Sequence, residues 1–99
     1  MTIIDEISFE NSDPPLGLTI PQQAMWWLKK GKFTKGSEWE MAHSLCQQSE
    51  GTREYDLAHA LTHWIEGDED NTAYWYRRVD RRRASTISDE WNQIAALLS

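Results

Sequence analysis

From Thr19 onward, apolar residues recur at helical spacing, and short polar acceptors punctuate them. Thr19-Ile20-Pro21-Gln22 reads as a capping box with proline in the first turn. Ile20, Ala24, Trp27 and Leu28 then share one face, Trp26 points away from it, and Gly31 or the Lys35-Gly36 pair ends the element. Ser37-Glu38-Trp39-Glu40 reads as a second capping box, with Gly51 as its stop. Thr52 is expected to cap a third helix ending at Gly67, and Asp68 or Asp70 a fourth running to about Arg83. Ser88-Asp89-Glu90 opens a fifth, with Trp91, Ile94, Ala95 and Leu98 on one face. Alternation of β-branched residues is confined to the first few positions, so strands are not expected. The predicted fold is all-α: about five short helices in an antiparallel, orthogonal or up-down bundle, distantly like helical-repeat hairpins.

Ahead of this pattern, Met1 to Gly17 reads as an extended arm, separate from a single helical domain over residues 18–99. Ile3, Ile4, Ile7 and Phe9 could lie across an apolar groove, and Asp13-Pro14-Pro15 stops any helix before Leu18.

Two of the helices are copies of one another. Residues 38–45 (EWEMAHSL) align with residues 54–61 (EYDLAHAL), a shift of 54 − 38 = 16, and both copies close in Glu-Gly, at Glu50-Gly51 and Glu66-Gly67. At 100° per residue, Leu57, Ala58, Leu61, Trp64 and Ile65 form the core face of the third helix, leaving Tyr55, His59, His63 and Glu66 opposite. The first copy likewise places Met41, Ala42 and Leu45 inward, with Trp39, His43 and Glu50 outward. In the fourth helix Thr72, Trp75, Tyr76 and Val79 face inward, while Tyr74, Arg77, Arg78 and Arg81 line the other side. An outward stripe of aromatic, histidine and glutamate residues is a solvated face, a second layer of packing, or a semi-apolar contact surface.

His63-Trp64-Ile65-Glu66-Gly67-Asp68, followed by Asn71 and Tyr74-Trp75-Tyr76-Arg77-Arg78, resembles a group of small uncharacterised bacterial helical proteins. Their core reads H-x-x-E-G-D-x-x-N-A-x-Y-W-Y-R-R-A, and Thr72 and Val79 stand where that pattern has alanine. The resemblance implies a helical fold and brings no activity with it. The same stretch is similar in architecture to tetratricopeptide and Sel1-like repeats, although its Ala73–Trp75–Tyr76 spacing departs from theirs, and the 16-residue period of the duplicated helices is shorter than their helix pair of about 34 residues.

Composition narrows the function classes. Charged residues are 26% and hydrophobic residues 39% of the chain, the balance of a globular domain. No apolar run approaches the roughly 20 residues of a membrane span. Cys46 is the one cysteine, which rules out an internal disulfide and suits a reducing, cytoplasmic setting. A net charge of −6 repels phosphate backbones and argues against nucleic acid as a partner. Five of the ten basic residues nevertheless lie between Arg77 and Arg83, enough for a local patch that either pairs with carboxylates or forks around an anion.

His43-x2-Cys46-x12-His59-x3-His63 has the spacing of a zinc site, but the helical wheel turns His59 and His63 away from the core and Cys46 toward it. Convergence of all four is therefore not expected. His59, His63 and Glu66, at i, i+4 and i+7, could hold a metal on the surface. No glycine-rich phosphate loop, oxyanion-donor pair or paired-cysteine motif points to a reaction, and no cofactor is implied. The expectation is a non-catalytic interaction module, a homodimer or a binder of another protein. The alternative is a site for a small anion or metal, built from His59, His63, Glu66, Asn71, Tyr74, Arg77 and Arg78.

Overall fold

The computed structural model describes residues 6–99, the first two of them by backbone alone. The fold is all-α. Five helices follow one another: α1 (Ile20–Lys30), α2 (Ser37–Cys46), α3 (Arg53–Glu66), α4 (Glu69–Arg78) and α5 (Ile87–Leu97). Short 3-10 turns occur at Glu6–Glu10 and Gln47–Ser49, and no strand occurs among the described residues. No helix among them is long and apolar enough to cross a membrane.

Local chemistry accounts for most of the boundaries. Thr19 and Gln22 form the full capping box expected of α1. Asp68 caps α4, its carboxylate accepting the backbone N–H and the side-chain amide of Asn71. Gly67 ends α3 in the left-handed conformation at φ 85°, with the Asp68 N–H reaching back to the His63 carbonyl. The same closure recurs with non-glycine residues. The Phe33 N–H returns to Leu28 O with Lys32 at φ 58°, and the Arg81 N–H returns to Tyr76 O with Asp80 at φ 52°. That second closure stops α4 at Arg78, five residues short of the expected Arg83.

Two other starts differ from expectation. Gly36, not Ser37, occupies the cap position of α2, and the Ser37 hydroxyl turns to the Glu38 carboxylate. α5 begins at Ile87, because the Thr86 hydroxyl accepts the Asp89 N–H one register ahead of Ser88. Gly31 ends α1 as expected, but at φ −79° the turn does not require glycine; close packing does, since a Cβ there would stand 2.8 Å from Glu38 Cβ, where α1 meets α2.

α3 lies at the centre, in contact with α1, α2, α4 and α5. Every residue from Asp56 to His63 is buried. A helical wheel assumes one buried stripe, and a central helix has none to spare for solvent. The outward placement of His59 and His63 is overturned for this reason. In α2 the buried stripe is Trp39, Ala42, His43 (in part) and Cys46, at i, i+3, i+4 and i+7, while Met41 is exposed. Ala42 and Leu45 face the core as expected, whereas Trp39 and His43 turn inward and Met41 outward, against expectation. Trp26 is also inside: Phe9 stacks on it at 5.7 Å, and its indole N–H donates to the Ser8 hydroxyl. Of the arm's other apolar residues, Ile3, Ile4 and the Ile7 side chain lie outside what is described.

α3 and α4 form an antiparallel hairpin. Arg53 donates to the Val79 carbonyl, Arg78 stands near Asp56, and Trp75 stacks on His59. Beyond α4, Arg81 does not continue the outward arginine stripe. It turns inward to the wholly buried Glu90 of α5, which accepts two hydrogen bonds from Arg81 at 2.9 and 3.0 Å and a third from the Ala84 N–H. Burial pushes the Glu90 carboxyl up, but these hydrogen bonds outweigh it and hold the group below its usual range.

Candidate functional site

The repeated helices bring their equivalent residues together. His43 meets His59, and Cys46 meets Thr62, each pair separated by the 16-residue shift. His63, one turn beyond His59, completes a cluster of three imidazoles. Their centroids lie 4.8 to 5.2 Å apart, and one ring nitrogen from each falls within 4.8 Å of the others. Trp39 stacks on His43 at 4.9 Å and Trp75 on His59 at 4.1 Å, so indoles cover the cluster on two sides. The Trp39 ring is itself held in place by its N–H, which donates to the Thr62 carbonyl.

The three histidines differ in what they touch. His63 Nδ1 lies 2.7 Å from Glu66 Oε1, and a carboxylate can only accept, so Nδ1 carries a proton, and in the neutral ring this leaves the lone pair on Nε2. Glu66 is steadied in turn by Lys35 at 3.5 Å. His59 is 2% exposed, and neither of its ring nitrogens has a hydrogen-bond partner among the described residues. Leaving buried polar atoms unpaired costs about 1–3 kcal/mol. His43 is partly exposed and lies on the solvent side of the cluster.

Electrostatics favour the neutral form of two of these rings, His59 and His43. Burial, then the neighbouring His63, His43 and Arg78, lower the His59 pKa to about 3. Burial and His63 also lower that of His43. Neutral imidazoles keep their lone pairs at physiological pH, the state in which they bind metals. Cys46 contributes nothing of this kind. Burial pushes its thiol up to about 12, and its sulfur lies 3.9 Å from the Thr62 hydroxyl.

The seven expected site residues therefore divide. His59, His63 and Glu66 come together, joined by His43 of α2, which lies outside the expected set of seven. Arg78 stands behind Trp75, 5.0 Å from its ring, between Tyr74 and Asp56. Asn71 is taken up in capping α4, while Tyr74 and Arg77 are exposed. The zinc-like spacing was the available signal for His43, and three of its four residues do converge. The surface imagined for self-association loses Trp26 and His59, which the monomer covers itself. A second group, His63, Glu66 and Asp68, also has donor atoms within 4.8 Å, but Asp68 is engaged by Asn71 and Glu66 by Lys35 and His63.

Comparison of the chain with protein families, with curated proteins and with solved structures finds no match.

Proposed function

We propose that this protein binds one divalent transition-metal ion, of the zinc class, through His43, His59 and His63. The observation that carries the reading is His59: a buried ring with two unpaired nitrogens, its donor atom within 4.8 Å of those of His43 and His63. Imidazole nitrogen suits zinc, copper and nickel rather than calcium or magnesium. Donor atoms on one tetrahedral zinc stand about 3.3 Å apart, given Zn–N bonds near 2.0–2.1 Å. Closing from within 4.8 Å to that distance requires the donor atoms to approach by about 1.5 Å at most. Glu66 acts as the carboxylate that fixes the His63 tautomer rather than as a direct ligand, the arrangement usual behind metal-bound histidines.

The test is competition for zinc between the chelator-stripped protein and a chromophoric chelator. One equivalent should be withdrawn by the wild-type chain and none by His59→Leu. Failure of the wild-type chain to compete, or equal competition by His59→Leu, would overturn the reading.

A further inference from the structure

The repeat that pairs His43 with His59 also duplicates a glutamate. Glu66 closes the second copy and Glu50 the first, and each is followed by a glycine in the left-handed region, Gly67 at φ 85° and Gly51 at φ 99°. Glu66 holds Nδ1 of His63 at 2.7 Å. Glu50 points at the corresponding atom of the other buried histidine, with Oε2 4.0 Å from His59 Nδ1.

Resting on the metal-binding reading, we infer that Glu50 is the positioning carboxylate of His59, as Glu66 is of His63. When His59 Nε2 takes the metal, Glu50 accepts the Nδ1–H. The metal would thus be held by the Nε2 atoms of both α3 histidines, each backed by the glutamate that ends one copy of the repeat.

Three features support this assignment. First, the remaining gap is about 1 Å beyond the usual N–H···O separation of about 2.9 Å. The Glu50 side chain is 46% exposed and free to rotate across it. Second, its backbone is anchored. The Gly51 N–H donates to both oxygens of the buried Asp56 at 3.1 and 3.2 Å, and Asp56 faces Arg78 at 3.8 Å. This clamp ties the Glu50-Gly51 peptide to the first turn of α3, one turn before His59. Third, charge demands it. A dication among three neutral rings, two of them stacked on indoles, needs nearby negative charge to offset its desolvation. Glu66 supplies one carboxylate and Glu50 the second, while Arg78 on the far side of Trp75 opposes.

The experiment compares wild type, Glu50→Gln and Glu50→Ala. Zinc competition is read alongside long-range ¹H–¹⁵N spectra of the histidine rings in the zinc-loaded protein. Wild type should show His59 with its proton on Nδ1 and zinc on Nε2. Glu50→Ala should weaken zinc binding about 10–100-fold, the usual effect of losing such a partner. Glu50→Gln should recover part of the loss, because its amide oxygen still accepts the proton without the charge. The melting temperature of the metal-free protein should stay unchanged in both variants, which separates positioning from a structural role. Zinc on Nδ1 of His59, or wild-type affinity in Glu50→Ala, would overturn the inference while leaving the three-histidine site standing. Absence of zinc binding by the wild-type chain would remove both.

Discussion

The His59 imidazole lies flat against the Trp75 indole, with ring centroids 4.1 Å apart and planes 26° from parallel. Trp75 therefore seals His59 from water on the α4 side, and the Arg78 guanidinium caps the indole at 5.0 Å. Trp75→Ala should destabilise the protein by about 3–5 kcal/mol through the cavity it leaves. It should also weaken zinc binding by admitting water to the His59 ring. Chemical denaturation measures the first effect, and an unchanged midpoint would mean the stack contributes nothing.

His59 itself is a poor residue for packing, since two buried nitrogens lack partners. Leucine fills similar space with no polar atom to strand. In the metal-free protein His59→Leu should therefore raise stability by about 1–3 kcal/mol, the cost of the unpaired groups. A substitution that stabilises the fold while abolishing metal binding is the signature of a functional residue. A lower melting temperature for His59→Leu would show that the imidazole earns its place by packing alone.

Acid should act on the metal-free protein through the same ring. His59 titrates near 6.5 when unfolded and at about 3 when folded, so the unfolded chain binds the proton first. Protonation therefore costs the fold nothing above pH 6.5, and stability falls progressively as pH drops from 6.5 toward 3, by up to about 1.4 kcal/mol per pH unit. His43 shifts in the same direction. Between pH 6.5 and 4.5 these histidines act before the lowered carboxyl of Glu90, whose stabilisation is lost only below its unfolded value of 4.5. Melting temperatures measured at pH 7.5 and 5.5 should thus fall clearly in wild type and much less in His59→Leu. Equal falls in the two proteins would place the acid sensitivity elsewhere.

The helices themselves were legible because their signals are local. Thr19, Asp68 and Gly67 do their capping with neighbours three to five residues away, so the chain alone reveals them. The apolar core positions of α2 and α3, Ala42, Leu57, Ala58 and Leu61, were legible too, but the burial of Trp39, His59 and His63 on the other side was not, because it depends on what packs from a distance. Nothing within α1 says that Phe9 will cover Trp26, and nothing within α3 says that helices will enclose it from all sides. The site followed the same division. His59, His63 and Glu66 share a helix and were found together, while His43 joins them only through the crossing of α2 over α3. Asn71, Tyr74 and Arg77 were grouped with the histidines by nearness in sequence, and the fold leaves them on the surface.

Gly67 tests how much a local signal is worth. Its φ of 85° is strained for any side chain, yet a Cβ there would meet nothing within 4 Å. The penalty for substitution is therefore one of backbone conformation alone. Gly67→Val should cost about 1–2 kcal/mol or slightly more, the strain of a β-branched residue in the left-handed region. Gly67→Asn should cost much less, since asparagine tolerates that conformation. Equal losses, read by thermal melting, would point to a steric cause and contradict the open surroundings.

The Arg81–Glu90 pair tests a long-range constraint. Glu90 is wholly buried and Arg81 is 17% exposed, so removing the arginine strips a buried carboxylate of two of its three hydrogen bonds of good geometry and leaves that from the Ala84 N–H. The nearby Tyr76 hydroxyl has no hydrogen-bond partner of good geometry, and burial raises its pKa, so it keeps its proton and could turn to Glu90 in part compensation. Even so, Arg81→Ala should destabilise by about 3–5 kcal/mol, the usual penalty for breaking a buried pair on one side. Replacing both partners by leucine should recover most of that loss, because the desolvation cost disappears with the charges. Denaturation of the single and double variants decides the matter. If the double variant is as unstable as Arg81→Ala, the pair's hydrogen bond to Ala84, and the loop it organises between α4 and α5, would outweigh the electrostatics.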